Sequence, residues 1–172
     1  MPRVNKSTAK KDYPEHGISK GDVYYHWTPF RSFKRYSKEY PRPSLVEPNG
    51  TRASYLALQE SLSDELNGAE TMEDLRSAVE TAASEAEAVS EELAEKASNI
   101  EDGFGHSTEK SEGFSEQADE VSNWASELEG LSLDDFDIDD LEEGQDVDEE
   151  TESAFEAAKT EVEEALAGAP EI

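Results

Sequence analysis

Six of the seven prolines lie at or before Pro48, and the seventh is Pro170. Residues 49–169 therefore contain none. Proline removes a backbone donor and clashes with the preceding turn, so a stretch this long without it is free to form extended helices. The apolar residues in that stretch recur at spacings of three and four, the period of a helix face. The fold expected is mainly α, with a different small structure ahead of residue 49.

Four helices are predicted. The first covers about 51–67, with Tyr55, Leu58, Leu62 and Leu66 on one stripe and Gly68 as its stop. The second and longest covers about 71–101, where Thr71 and Asp74 have the spacing of a capping box. Met72, Leu75, Val79, Ala82, Ala86, Val89, Leu93, Lys96 and Ile100 form a heptad seam, weakened by its alanines and Lys96. Gly103 and Gly105 interrupt it. The third covers about 108–128, with Phe114, Gln117, Val121, Trp124, Leu128 and Leu131 in the same rhythm, and is expected to fold back on the second as an antiparallel pair. Residues 132–147 read as an acidic linker. A last acidic helix, about 148–167, carries Phe155, Ala158, Val162 and Leu166.

Ahead of these lies a region of opposite charge. Residues 1–45 hold ten Lys/Arg against four Asp/Glu, and residues 46–172 hold five against 39, within a net charge of -28. An acidic body repels nucleic acid and anionic membrane, so only the N-terminal part is suited to approach a polyanion. A saline habitat is the alternative source of the acidity. Residues 1–19 read as a basic extended arm. Residues 20–48 read as a β-hairpin module with a proline-rich connector. In the hairpin, Val23, Tyr25 and Trp27 alternate with Tyr24, His26 and Thr28, and residues 33–38 give a second alternating run. Pro29 is expected to end the first strand. His26 is expected on the polar face, and His106 is placed to cap the helix break. The predicted architecture is thus a small N-terminal β-hairpin module, then an elongated antiparallel helical hairpin or bundle (49–131), then an acidic C-terminal segment (148–172).

Half of the fourteen aromatic residues fall in 20–40, interleaved with cations. Cations suit phosphates and flat rings suit bases, so Lys10, Lys11, Tyr24, Tyr25, Trp27, Arg31, Lys34, Arg35 and Lys38 are candidate nucleic-acid contacts. A β-ribbon also fits a major groove. The plainer alternative is that Tyr24, Tyr25 and Trp27 form the core beneath the hairpin and the cations are solvated. Another is that the basic segment docks on the chain's own acidic helices. The seam residues Leu75, Val79, Leu93, Phe114, Val121, Trp124 and Leu128 are candidates for holding a protein partner or a second copy. Rows of carboxylates also admit a DNA mimic directed against a DNA-binding enzyme. The acid–apolar alternation at 134–143 suits coupled folding on a basic groove, or a plain linker.

The resemblance to known sequences is confined to the N-terminal part. Lys20-Gly21-Asp22, Tyr24-Tyr25, Trp27, the run from Lys34 to Lys38 and Pro41-Arg42-Pro43-Ser44 resemble the start of a group of uncharacterised proteins of tailed bacteriophages and prophages. Acidic helices follow in that group as well. The resemblance implies a viral or mobile-element origin and, with it, the cytoplasm of the host cell; it implies no activity.

Chemistry is otherwise sparse. The chain has no cysteine, so thiolate and disulfide chemistry is excluded. No P-loop, HExxH or GxSxG is present, and no enzyme, cofactor, metal or small-molecule substrate is expected. Asp135, Asp137 and Asp139 match the start of a calcium loop, but Asp140 occupies the position that needs glycine and Asp146 the position that needs glutamate. No apolar run reaches the roughly 20 residues of a membrane span, and residues 1–25 lack the apolar stretch of a leader. A non-enzymatic accessory protein contacting nucleic acid, an interaction or antagonist protein, and a virion or scaffolding component are the functions left open.

Overall fold

The structure, a computed structural model, describes residues 2–29, 32–47, 50–131, 133 and 149–172. It is mainly helical, with a small antiparallel sheet at the N-terminus followed by long helices. The chain divides into two compact units, Met1–Ala57 and Leu58–Ile172.

Among the described residues, the first unit contains three strands rather than two. β1 (Asn5–Thr8) pairs antiparallel with β2 (Val23–Trp27), which pairs antiparallel with β3 (Arg35–Ser37). The register sets Ser7 opposite Tyr24, Asn5 opposite His26 and His26 opposite Tyr36. Part of the expected extended arm is thus an edge strand. Its sequence, NKST, has no apolar alternation and is held by backbone pairing; polar residues also keep a sheet edge from templating association.

β2 is packed at one residue on each face, Tyr24 and Trp27, while Val23 stays 47% exposed. On one face, Tyr24 forms a small core with Ala9 and Ile18, and Tyr13 and Tyr36 pack against it. Tyr13 and Ile18 exchange backbone hydrogen bonds of 2.7 and 3.2 Å around a single turn of 3-10 helix at Pro14–His16. That turn closes on Gly17 at φ 64°, a left-handed conformation that favours glycine. On the other face, buried Trp27 donates its indole N–H to the Leu45 carbonyl at 3.1 Å. Leu45 belongs to α1 (Pro43–Val46), a one-turn helix with Pro43 at its first position.

The second unit is helical. α2 (Thr51–Gly68) contains the division between the units, and its Leu62 and Leu66 are buried. α3 (Met72–Phe104) begins at the predicted capping box: the Asp74 amide donates to the Thr71 hydroxyl, and the Asp74 carboxylate accepts from the Thr71 amide. It ends at Gly105, φ 72°, and His106 Nδ1 donates to the Phe104 carbonyl there. α4 (Glu109–Glu129) is capped by Thr108 with Ser111 in place of the usual glutamate.

α3 and α4 pack antiparallel. Ser90 Oγ donates to the Ala118 carbonyl at 3.0 Å, and Ser122 Oγ donates to Glu87 Oε2 at 3.2 Å, which together fix the register. The seam is rich in small residues: Ala82, Ala83, Ala86, Ser90 and Ala97 are buried on α3, and Ser111, Ala118 and Ala125 on α4. Small side chains let two helix backbones approach closely. α5 (Glu149–Ala167) packs on both through buried Ala158 and Val162, and accepts the Trp124 indole N–H at the Ala165 carbonyl, 2.8 Å away.

Candidate nucleic-acid interface

The residues predicted to contact nucleic acid separate into three groups. Tyr24 and Trp27 are core, 8% and 4% exposed, so of the two roles open to them they take the supporting one. Tyr25 is half-buried and meets Tyr40 edge-on at 5.3 Å. Lys10, Lys11, Lys34, Arg35 and Lys38 are exposed. Lys38 is tied to Asp22 at 3.0 Å. Arg31 lies outside the described residues.

The packing of β2 bears on the docking mode. A two-stranded ribbon enters a major groove with a free face. Here the 13–18 loop packs on Tyr24 on one face and α1 on Trp27 on the other, while Val23, on the Trp27 face, stays exposed.

What the structure brings together is a set of rings that the sequence pattern did not single out. Tyr13 and Tyr36 lie nearly parallel, 22° apart with centroids at 5.8 Å. His16 stacks on Tyr36 at 4.8 Å and 28°. Tyr13 and Tyr36 are half-buried, and His16 is exposed. Lys11 Nζ lies 5.4 Å from the Tyr13 centroid, and Lys34 Nζ 5.4 Å from that of Tyr36. Tyr13 comes from the loop after β1 and Tyr36 from β3; chain pairing, not local spacing, makes them neighbours. A signal was available in the local density of tyrosine and histidine, but not in its periodicity.

His26 sits on this same ring-bearing face rather than on a polar one. Its ring is 5.7 Å from Tyr24 and 6.4 Å from Tyr36, and its Nε2 is 3.1 Å from Ser7 Oγ. Partial burial, then the nearby Lys34 charge, lowers its pKa below the ordinary 6.5, favouring the neutral ring. Tyr13 shifts the other way: desolvation, then neighbouring Tyr24 and Tyr36, raise its pKa above 10.0 and keep the phenol protonated.

The predicted partner surface is occupied within the chain. Leu75, Val79, Leu93, Val121, Trp124 and Leu128 are all buried in the helical unit, and Phe114 is half-buried under the Lys110 ammonium at 5.7 Å. A heptad seam reads the same whether its partner is another chain or the next helix, and here the next helix fills it. As folded, these residues do not offer a surface to a partner.

Among the described residues, no group of three or more His, Asp or Glu is placed to hold a metal ion, and no helix is long and apolar enough to cross a membrane. The acid–apolar stretch at 134–143 and the calcium-like spacing at 135–146 lie outside the described residues. No family model, no curated protein and no solved structure matches the chain.

Proposed function

We propose that this is a non-enzymatic accessory protein of phage or prophage origin, working in the host cytoplasm, whose N-terminal sheet unit contacts nucleic acid. The observation that carries this reading is the gathering of exposed cations around the rings of one small unit, in a chain that is otherwise strongly acidic. Lys10, Lys11, Lys34 and Arg35 are exposed. Each exposed cation that replaces a condensed counterion on a polyanion contributes to affinity and to its salt dependence. The acidic helices repel the same polyanion, which confines contact to the sheet unit.

The test is binding of the whole chain to mixed single- and double-stranded DNA and RNA across a salt series. Binding is expected at low salt and should weaken steeply as salt rises, with a log–log slope near -3 for about four phosphate contacts on a single strand. Replacing Lys10, Lys11, Lys34 and Arg35 together by Glu should abolish it. Unchanged binding after that replacement would overturn the assignment of the surface. Absence of binding by the native chain would overturn the nucleic-acid reading itself and turn the search to capture of a host DNA-binding protein by the acidic helices.

A further inference from the structure

We infer that the sheet unit takes single-stranded nucleic acid, seating a base on the ring row formed by Tyr13, Tyr36 and His16 and phosphates on Lys11 and Lys34. This rests on the nucleic-acid reading above and gives it a strand class and a contact mode.

Two observations carry it. The first is the row itself. Tyr36 stacks with both Tyr13, at 22°, and His16, at 28°, and His16 is the exposed member of the three. A base stacked on His16 extends the row by one more ring, and stacking requires an unpaired base. The second is the placement of charge. Lys11 and Lys34 lie over Tyr13 and Tyr36, so both ammonium groups sit beside the rings on which a base would stack and are the cations nearest to its phosphates in this proposal.

The acids nearby have a stated place too. Asp22 is held by Lys38 and by the Ser19 amide, and Asp12 accepts from the Lys20 amide at 2.7 Å. Glu15, next to His16 in the 3-10 turn, is exposed and opposes a phosphate there.

The experiment uses the full chain and fluorescent oligothymidylate and oligouridylate of about twelve nucleotides, a length within the usual range for one small single-strand site. A duplex with the same number of phosphates is the comparison. The expected result is tighter binding of both single strands than of the duplex at equal salt, by on the order of tenfold. His16→Ala changes an exposed ring and leaves the core in place; it should lose about tenfold on single strands without altering the salt slope. Tyr36→Leu, which keeps an apolar side chain against Tyr24, should lose at least as much. Lys34→Ala should instead reduce the slope by about 0.7. The His16 ring protons should move upfield when an oligonucleotide saturates the protein. Duplex bound as tightly as single strand, or single-strand affinity unchanged in both ring variants, overturns this inference while leaving the charge-based reading in place. No binding of any probe at low salt overturns both.

Discussion

The sheet unit and the helical unit solve the same problem with opposite materials. In the helical unit the core is made mostly of Ala, Leu, Val and Ser, with Met72 and Trp124, and no Asp or Glu is among its buried residues on α3 and α4. In the sheet unit the rings are both core and surface: Tyr13 and Tyr36 pack on Ala9, Ile18 and Tyr24 and yet remain half-exposed. A residue that carries stability and contact together cannot be altered for one without touching the other. That difference makes the exposed His16 the informative position in the ring row.

Each unit has its own tryptophan, Trp27 in one and Trp124 in the other, so single-tryptophan variants report the units separately. The largest expected effect comes from core truncation. Leu128→Ala should lower the stability seen by Trp124 by about 2–5 kcal/mol, and Ile18→Ala should lower that seen by Trp27 by a similar amount. Urea melts at each tryptophan measure this. If Leu128→Ala moved both signals equally, the comparison between two units would break.

Salt should pull the units in opposite directions. Raising sodium chloride from about 50 to about 200 mM should weaken oligonucleotide binding by roughly fiftyfold for four phosphate contacts. The same change should raise the melting temperature at Trp124, because it screens repulsion among the carboxylates. A helical unit whose melting temperature ignored salt would show that its charges are already balanced locally.

A smaller effect lies at the α3 cap. Thr71→Ala should cost about 1 kcal/mol. Hydrogen bonds from the Thr71 side chain and from the Glu70 and Thr71 amides hold the Asp74 carboxyl below its ordinary value of 3.8. Its contribution is therefore fully present above that value and disappears as pH falls through the lowered one. Asp74→Asn should flatten that part of the acid melting curve, read by far-ultraviolet circular dichroism.

The smallest effect belongs to His26. Its folded-state pKa lies below the ordinary 6.5, so the unfolded chain takes up a proton first as pH drops. The sheet unit should lose stability below about pH 6.5 and keep it above. Melts at Trp27 at two pH values check this, and His26→Asn should remove the difference.

The helices were readable because their signals are local. Spacings of three and four, the Thr71–Asp74 pair and the glycine at 105 are each contained within a few residues, and the observed bounds follow them closely. The sheet was only half readable. Tyr24 and Trp27 announced β2, but Asn5–Thr8 has no pattern of its own and becomes a strand only because β2 lies beside it. The ring row was hidden for the same reason, since Tyr13 and His16 reach Tyr36 across more than nineteen residues of chain. The heptad seam is legible as apolar and is compatible both with an antiparallel pair within the chain and with an outside partner, because spacing alone does not say which helix fills it.

The tight turn at Gly105 has a kinetic consequence. It joins α3 to α4 directly, so their pairing can start beside the turn, between residues close in sequence, by closing a short loop, which costs little entropy. Contacts of low sequence separation form early. α5 reaches the same surface only after a much longer excursion of chain. On refolding, Trp124 should therefore change its fluorescence twice, first on meeting α3 and later when Ala165 accepts its indole N–H; a single phase in stopped-flow would deny this order. The helical unit is in that sense assembled as a pair that is later closed over, with Trp124 recording both events.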